Sequence, residues 1–163
     1  MVYRPPWWLP DGHSQTIMAA RWANKPSVHY HRVRWNTPDG DFIDLDFTES
    51  PEHAAKHHTL WVLFHGLEGC SRSHYSLAVM NQARLAGALG VVVHFRGCSG
   101  ENNWMPRAYH SGDSAEMDWI LRRLREQLPA VEHMHVTGVS LGGNVLLKWL
   151  GEQQEQAGEI ISS

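Results

Sequence analysis

Gly138-Val139-Ser140-Leu141-Gly142 is the stretch on which the reading of this chain turns. It is a G-x-S-x-G, and its flanks give it meaning. His133–Thr137, just before it, reads as a short strand, and the segment up to Leu150 reads as a turn followed by a helix. A serine held between a strand and a helix in this way must sit on a very sharp turn. Its backbone is then strained, with a positive φ or a similar distortion, and its Oγ projects from the C-terminal edge of the sheet. The flanking glycines remove side chains that would collide with the neighbouring strand and helix. Gly143 is expected to let the helix pack close to the sheet. The helix aims its first amides at the place where negative charge would develop on a group attacked by the serine. The competing reading is an ordinary Gly-Ser turn, with Ser140 as a plain N-cap.

Upstream of this turn, strands and helices alternate. Val28–Trp35 reads as a first strand. Asp39-Gly40 marks a turn, and Phe42-Ile43-Asp44-Leu45-Asp46-Phe47 alternates as a second strand pairing back on the first. Thr59-Leu60-Trp61-Val62-Leu63-Phe64 is a continuous apolar run, the mark of a strand buried on both faces. A helix over about Tyr75–Ala88 follows, stopped by Gly90, and Val91-Val92-Val93 is the next buried strand. Met117, Ile120, Leu121, Leu124 and Leu128 fall on one face of a helix over Ser114–Leu128. Asp113 and Glu116 are spaced as a capping box for that helix, and Pro129 ends it. The pattern predicts an α/β fold, a mostly parallel sheet with flanking helices and right-handed crossovers. Residues 1–27, rich in Trp and Pro and without clean periodicity, read as an N-terminal arm to a single domain whose strands and helices span about 28–155.

Composition removes several classes of function. The chain has 163 residues, 42% of them hydrophobic, which is enough for one domain with a core. A net charge of −3 offers no basic excess for a phosphate backbone, so no nucleic-acid partner is expected. No apolar run is long enough for a membrane span. The opening Met1–Pro10 lacks the apolar core of a secretory signal, and a cytoplasmic location is expected. Two cysteines, Cys70 and Cys98, are too few for a disulfide framework. His29/His31 and His133/His135 are i, i+2 pairs that could share a strand face. No cluster supplies the three or four ligands of a closed metal site, so neither metal nor cofactor is expected.

A nucleophilic serine needs donors for an oxyanion. One candidate is the backbone N–H of Leu141, directly after Ser140. The other comes from the loop after the third strand, His65-Gly66-Leu67-Glu68-Gly69, where Leu67 N–H is the candidate. His65 reads as a structural histidine, and Glu68 is assigned no role.

Several motifs occur in one order: Gly12-His13-Ser14-Gln15-Thr16-Ile17, Phe64–Gly69, His94-Phe95-Arg96-Gly97-Cys98-Ser99-Gly100, Tyr109-His110-Ser111-Gly112-Asp113 and Gly138–Asn144. The set resembles the YheT-like branch of the α/β-hydrolases, from about Tyr3 to Leu150. Asn102 departs from the family, which usually has proline there. The resemblance implies a serine hydrolase of the carboxylesterase type acting on acyl-ester or lipid-like substrates, with Ser140 as nucleophile and strand order 1-2-4-3-5. In that superfamily the triad runs Ser, then Asp or Glu, then His. After Ser140 this sequence has no Asp and no His. Glu152, Glu155 and Glu159 lie on or just after the elbow helix, away from the position of a triad acid. The chain is therefore expected to be an N-terminal portion, inactive alone, or a non-catalytic module of the same fold. The fifth strand is expected to be a bare sheet edge, open to self-association.

Overall fold

The computed structural model describes residues 3–21 and 25–163. Met1, Val2 and residues 22–24, all within the N-terminal arm read from the sequence, lie outside the described residues. Five strands form: β1 (His31–Asn36), β2 (Phe42–Phe47), β3 (Thr59–Phe64), β4 (Leu89–Val93) and β5 (His133–Gly138). They build one sheet in the order β1-β2-β4-β3-β5, as expected. The sheet is mixed. β4, β3 and β5 are parallel neighbours, whereas β1 pairs antiparallel with β2, and β2 antiparallel with β4. β1 starts at His31, so His29 lies outside it and the His29/His31 pair does not share a strand face.

The helices are α1 (Gly12–Arg21), α2 (His74–Leu85), α3 (Ser114–Gln127), α4 (Leu141–Gln153) and the single turn α5 (Ala157–Ile160). Strand alternation sorts the sheet's side chains onto two faces. Leu60, Val62 and Phe64 of β3, with Val91 and Val93 of β4, join the apolar stripe of α3 and the buried Val145 and Trp149 of α4 in the main core. Leu63 and Val92 point the other way and pack on Met80 of α2. Each such side chain contributes about 1.5–3 kcal/mol by leaving water. The core thus fixes the C-terminal ends of β3 and β5 side by side, where the site lies.

On one face of the hairpin, two carboxylates of β2 meet two guanidinium groups of β1. Arg32 grips Asp46 through Nε at 2.7 Å and NH2 at 2.9 Å, and Arg34 grips Asp44 at 2.7 and 2.8 Å. Burial would raise the Asp46 pKa, but hydrogen bonds from Arg32, His94 and Ser71 outweigh it and hold the carboxyl well below the usual range.

Four expectations need correction. Asp113 sits at the N-cap of α3 but makes no side-chain cap bond. Arg107 takes its Oδ1 at 2.6 Å, and Glu116 is turned inward to Arg96 at 2.8 Å, so arginines have recruited both carboxylates of the supposed capping box. Gly90 does not stop α2. Gly87 does, at φ 75°, with Ala88 N–H bonded back to Ala83 O and Gly87 N–H to Arg84 O. Gly90 lies inside β4, where a Cβ would come within 2.7 Å of Met80 Sδ. The arm contains a helix, α1, whose start is signalled by Asp11: its carboxylate accepts the Ser14 N–H at 2.9 Å. Finally, the outer edge of β5 is not bare. Ser162 N–H donates to Met134 O and Val136 N–H to Ser163 O, both at 2.7 Å, so the last residues cover part of it.

Candidate active site

Ser140 lies between the end of β5 and the first turn of α4, with φ 51° and ψ −112°. A positive φ in a residue with a Cβ costs on the order of 1–3 kcal/mol and persists only where the surroundings impose it. Here the cause is close packing. A Cβ on Gly138 would stand 2.6 Å from backbone atoms of Gly142 and Gly143, and one on Gly142 would run into Phe64 O and lie 2.7 Å from His65 O. Gly142, more than Gly143, therefore lets α4 approach the sheet. The turn is closed by Gly142 N–H to Val139 O at 3.0 Å, and Val139 is tied to β3 through its N–H to Phe64 O at 3.0 Å.

The plain N-cap reading makes a specific demand that the serine does not meet. Ser140 occupies the N-cap position, but its hydroxyl makes no cap hydrogen bond. The side chain is exposed instead. Leu141 is the first residue of α4, where a helix has no internal acceptor for the amide, so its N–H is free to face a ligand.

The loop after β3 lies directly against this turn. A Cβ on Gly66 would be 3.3 Å from Ser140 Cβ. Within the loop, Gly69 N–H donates to Gly66 O at 3.0 Å, and Glu68 takes a positive φ of 54°. The structure thus brings the Gly66–Gly69 loop, which carries Leu67, beside Ser140 and Leu141.

His65, His94 and His110, which lie near this sheet edge, are otherwise engaged. His65 is fully buried; its Nδ1 lies 2.7 Å from Gly66 O, and its Nε2 accepts the Phe95 N–H at 3.1 Å. One nitrogen donates and the other accepts, so the ring is a neutral strut between the loop and the end of β4. His94 is committed to Asp46, with Nε2 2.9 Å from Oδ2. His110 Nδ1 accepts the Gly112 N–H of its own loop at 3.1 Å. Glu152 is bound to Lys148 and to Ser114.

Burial pushes the His65 pKa down to about 4. Its unfolded value is about 6.5, so between these pH values the unfolded chain takes up a proton that the folded chain refuses. Stability is therefore full above pH 6.5 and falls as pH drops toward 4, by about 3 kcal/mol in total. Urea unfolding midpoints measured from pH 7.5 to 4 should show this slope, and His65→Gln should flatten it. A wild-type midpoint that does not fall across that window would contradict the assignment.

A strained serine at the tip of a parallel strand, with a helix N-terminus behind it and the Gly66–Gly69 loop beside it, belongs to the α/β-hydrolase fold. The esterase Pf2001 of Pyrococcus furiosus superposes with a TM-score of 0.62 over 78% of this chain and 48% of its own, at 18% identity. No family model matches the chain. Over 141 residues it is 41% identical to "Putative esterase YheT" of Escherichia coli (strain K12), covering 86% of this chain and 41% of that protein. It is also 29% identical over 155 residues to human "Phospholipase ABHD3", covering 93% of this chain and 38% of the relative. The chain belongs to the YheT-like branch of the α/β-hydrolases. It spans about two fifths of the length of these curated relatives. Among the described residues, no helix is long and apolar enough to cross a membrane.

Proposed function

We propose that this chain supplies the nucleophile and the oxyanion site of a serine hydrolase of the carboxylesterase type. The observation that carries the reading is the geometry of Ser140: positive φ, no cap bond, the residue exposed. Ser140 Oγ attacks the acyl carbonyl carbon and gives its proton to a base. The carbonyl oxygen becomes an oxyanion, held by the amides of Leu67 and Leu141. Collapse expels the alcohol, which leaves with the proton, and water then releases the acid from the acyl-serine. The names of the relatives support an ester substrate, small or lipid-like. No cofactor takes part in these steps.

The base and the acid must come from outside the 163 residues. No Asp or His follows Ser140 in sequence, Glu152 is bound to Lys148 and Ser114, and His65, His94 and His110 are occupied. The alternative reading is a non-catalytic module of the same fold.

Labelling of Ser140 by a fluorophosphonate separates the two. The chain should stay unlabelled alone. It should become labelled, at Ser140 only, when mixed with a separately produced polypeptide carrying the remaining three fifths or so of the E. coli relative. A well-formed complex that leaves Ser140 unlabelled would overturn the catalytic reading.

A further inference from the structure

The loop after β3, which passes beside Ser140 at Gly66, has three consecutive amides, and two of them are taken. Gly66 N–H donates to the Tyr75 hydroxyl at 3.0 Å, and Glu68 N–H donates to the Tyr109 hydroxyl at 3.0 Å. Leu67 N–H, between them, has no hydrogen-bond partner among the described residues. The two phenols come from opposite faces of the sheet. Tyr75 stands in the first turn of α2 and packs with Leu63 and Met80; Tyr109 lies ahead of α3 and packs on the main core.

Each tyrosine is itself held. The Tyr109 ring stacks on Phe95, with centroids 5.1 Å apart and planes 8° apart, and Phe95 carries the N–H that His65 accepts. The Tyr109 hydroxyl also lies 3.4 Å from Glu68 Oε1, so it grips the one non-glycine residue of the loop with a positive φ by both backbone and side chain. Burial pushes the Tyr109 pKa up to about 12, which keeps the phenol protonated at neutral pH. On the other side, a Cβ at Gly69 would collide with the Tyr75 hydroxyl. Glycine at 69 is what makes room for that phenol beneath the loop.

We propose that Tyr75 and Tyr109 are positioning residues for the oxyanion site: their hydroxyls take up the amides on either side of Leu67 and leave Leu67 N–H as the one loop donor free to bind a developing oxyanion. The proposal rests on the reading of Leu67 as such a donor. Its physical content is a division of labour among three adjacent amides. An amide already donating to a phenol cannot turn to a ligand without losing that bond, and a loop pinned at both neighbours holds the middle amide in a fixed direction.

Amide hydrogen exchange, read by NMR on the ¹⁵N-labelled chain, tests it. Corrected for intrinsic rates, Gly66 and Glu68 should exchange about tenfold or more slowly than Leu67. Tyr75→Phe should speed exchange at Gly66 about tenfold and leave Glu68 alone. Tyr109→Phe should do the reverse. Leu63 and Phe64 in β3 should keep their rates, since a general loss of stability would move them too. The wild-type comparison needs no variant and stands even if one fails to fold. Leu67 protected as strongly as its neighbours, or a Phe variant whose paired amide keeps its rate, would overturn the proposal. Exchange does not depend on turnover. The expected pattern together with an unlabelled Ser140 in the complemented complex would count against the catalytic reading and not against the bracket.

Discussion

Given a short-chain p-nitrophenyl ester, the 163-residue chain should release nitrophenol no faster than its Ser140→Ala variant. A serine hydroxyl without a base is a poor nucleophile at neutral pH. In triad hydrolases, loss of the serine or the histidine lowers kcat by roughly 10⁶, and about 10³–10⁴ over water survives through binding and the oxyanion hole. In this chain the strained turn is in place, but among the described residues no histidine is hydrogen-bonded to Ser140. The assay compares the two purified proteins side by side, with burst and steady state both followed. A Ser140-dependent rate from the chain alone would mean that one of the engaged histidines breaks its bonds to serve as base.

The second large effect is structural. Arg96 is buried, with Nε and NH2 on Glu116 Oε1 at 2.8 and 2.5 Å, NH1 on Asp41 Oδ2 at 3.1 Å, and Asp39 within 2.9 Å. Burial alone would lower the Arg96 pKa, but the carboxylates around it outweigh that and raise it. Arg96→Ala would leave Asp41 buried with no cation and Glu116 with only Arg107, 4.0 Å away. Breaking a buried pair from one side typically costs about 3–5 kcal/mol, a large share of the 5–15 kcal/mol that holds a typical domain together. A urea titration followed by circular dichroism should show that loss at pH 7. The deficit relative to wild type should shrink as pH falls toward 5. Burial already raises the Glu116 pKa, and without Arg96 it rises further, so the folded variant gains a proton and stability on acidification. A variant as stable as wild type at pH 7 would show that the cluster carries no net weight.

The elbow was legible because its requirements are local. G-x-S-x-G between a strand and a helix specifies a backbone, and Ser140 has it. The apolar stripe of α3 could be read for similar reasons, since period and burial are written in adjacent residues, whereas the strand order came from the resemblance to the α/β-hydrolases. Features that depend on distant partners could not be read. Asp113 and Glu116 have the spacing of a capping box, but Arg107 and Arg96 reach them from elsewhere in the chain and decide their contacts. Gly87 and Gly90 are equal as letters; only the hydrogen bonds at the end of α2 show which one turns the chain. Tyr75 and Tyr109 carry no signal of their own, because a tyrosine that receives a loop amide looks in sequence like any core aromatic. The cover over β5 was likewise hidden, since Ile160-Ile161-Ser162-Ser163 is too short to show alternation. Asp11 ahead of α1 is different: it is a readable N-cap, but the Trp- and Pro-rich arm around it has no clean apolar period to mark a helix.

The crossed ion pairs of the first hairpin have a consequence for how the chain finds its alignment. Arg32 stands opposite Asp46, and Arg34 opposite Asp44, as direct partners across β1 and β2. A slip of one residue would send both arginines to the other face of the sheet, away from either acid. A slip of two in one direction would bring Arg34 to Asp46 and leave Asp44, whose side chain is wholly buried, without a counter-charge. Hydrophobic alternation alone tolerates that second error, because it keeps apolar residues on the apolar face. The charges do not tolerate it, since an unpaired buried carboxylate costs several kcal/mol. The two pairs act as a key with two teeth: they reject misaligned hairpins that the core would accept, and so fix the register of the hairpin whose second strand pairs with β4.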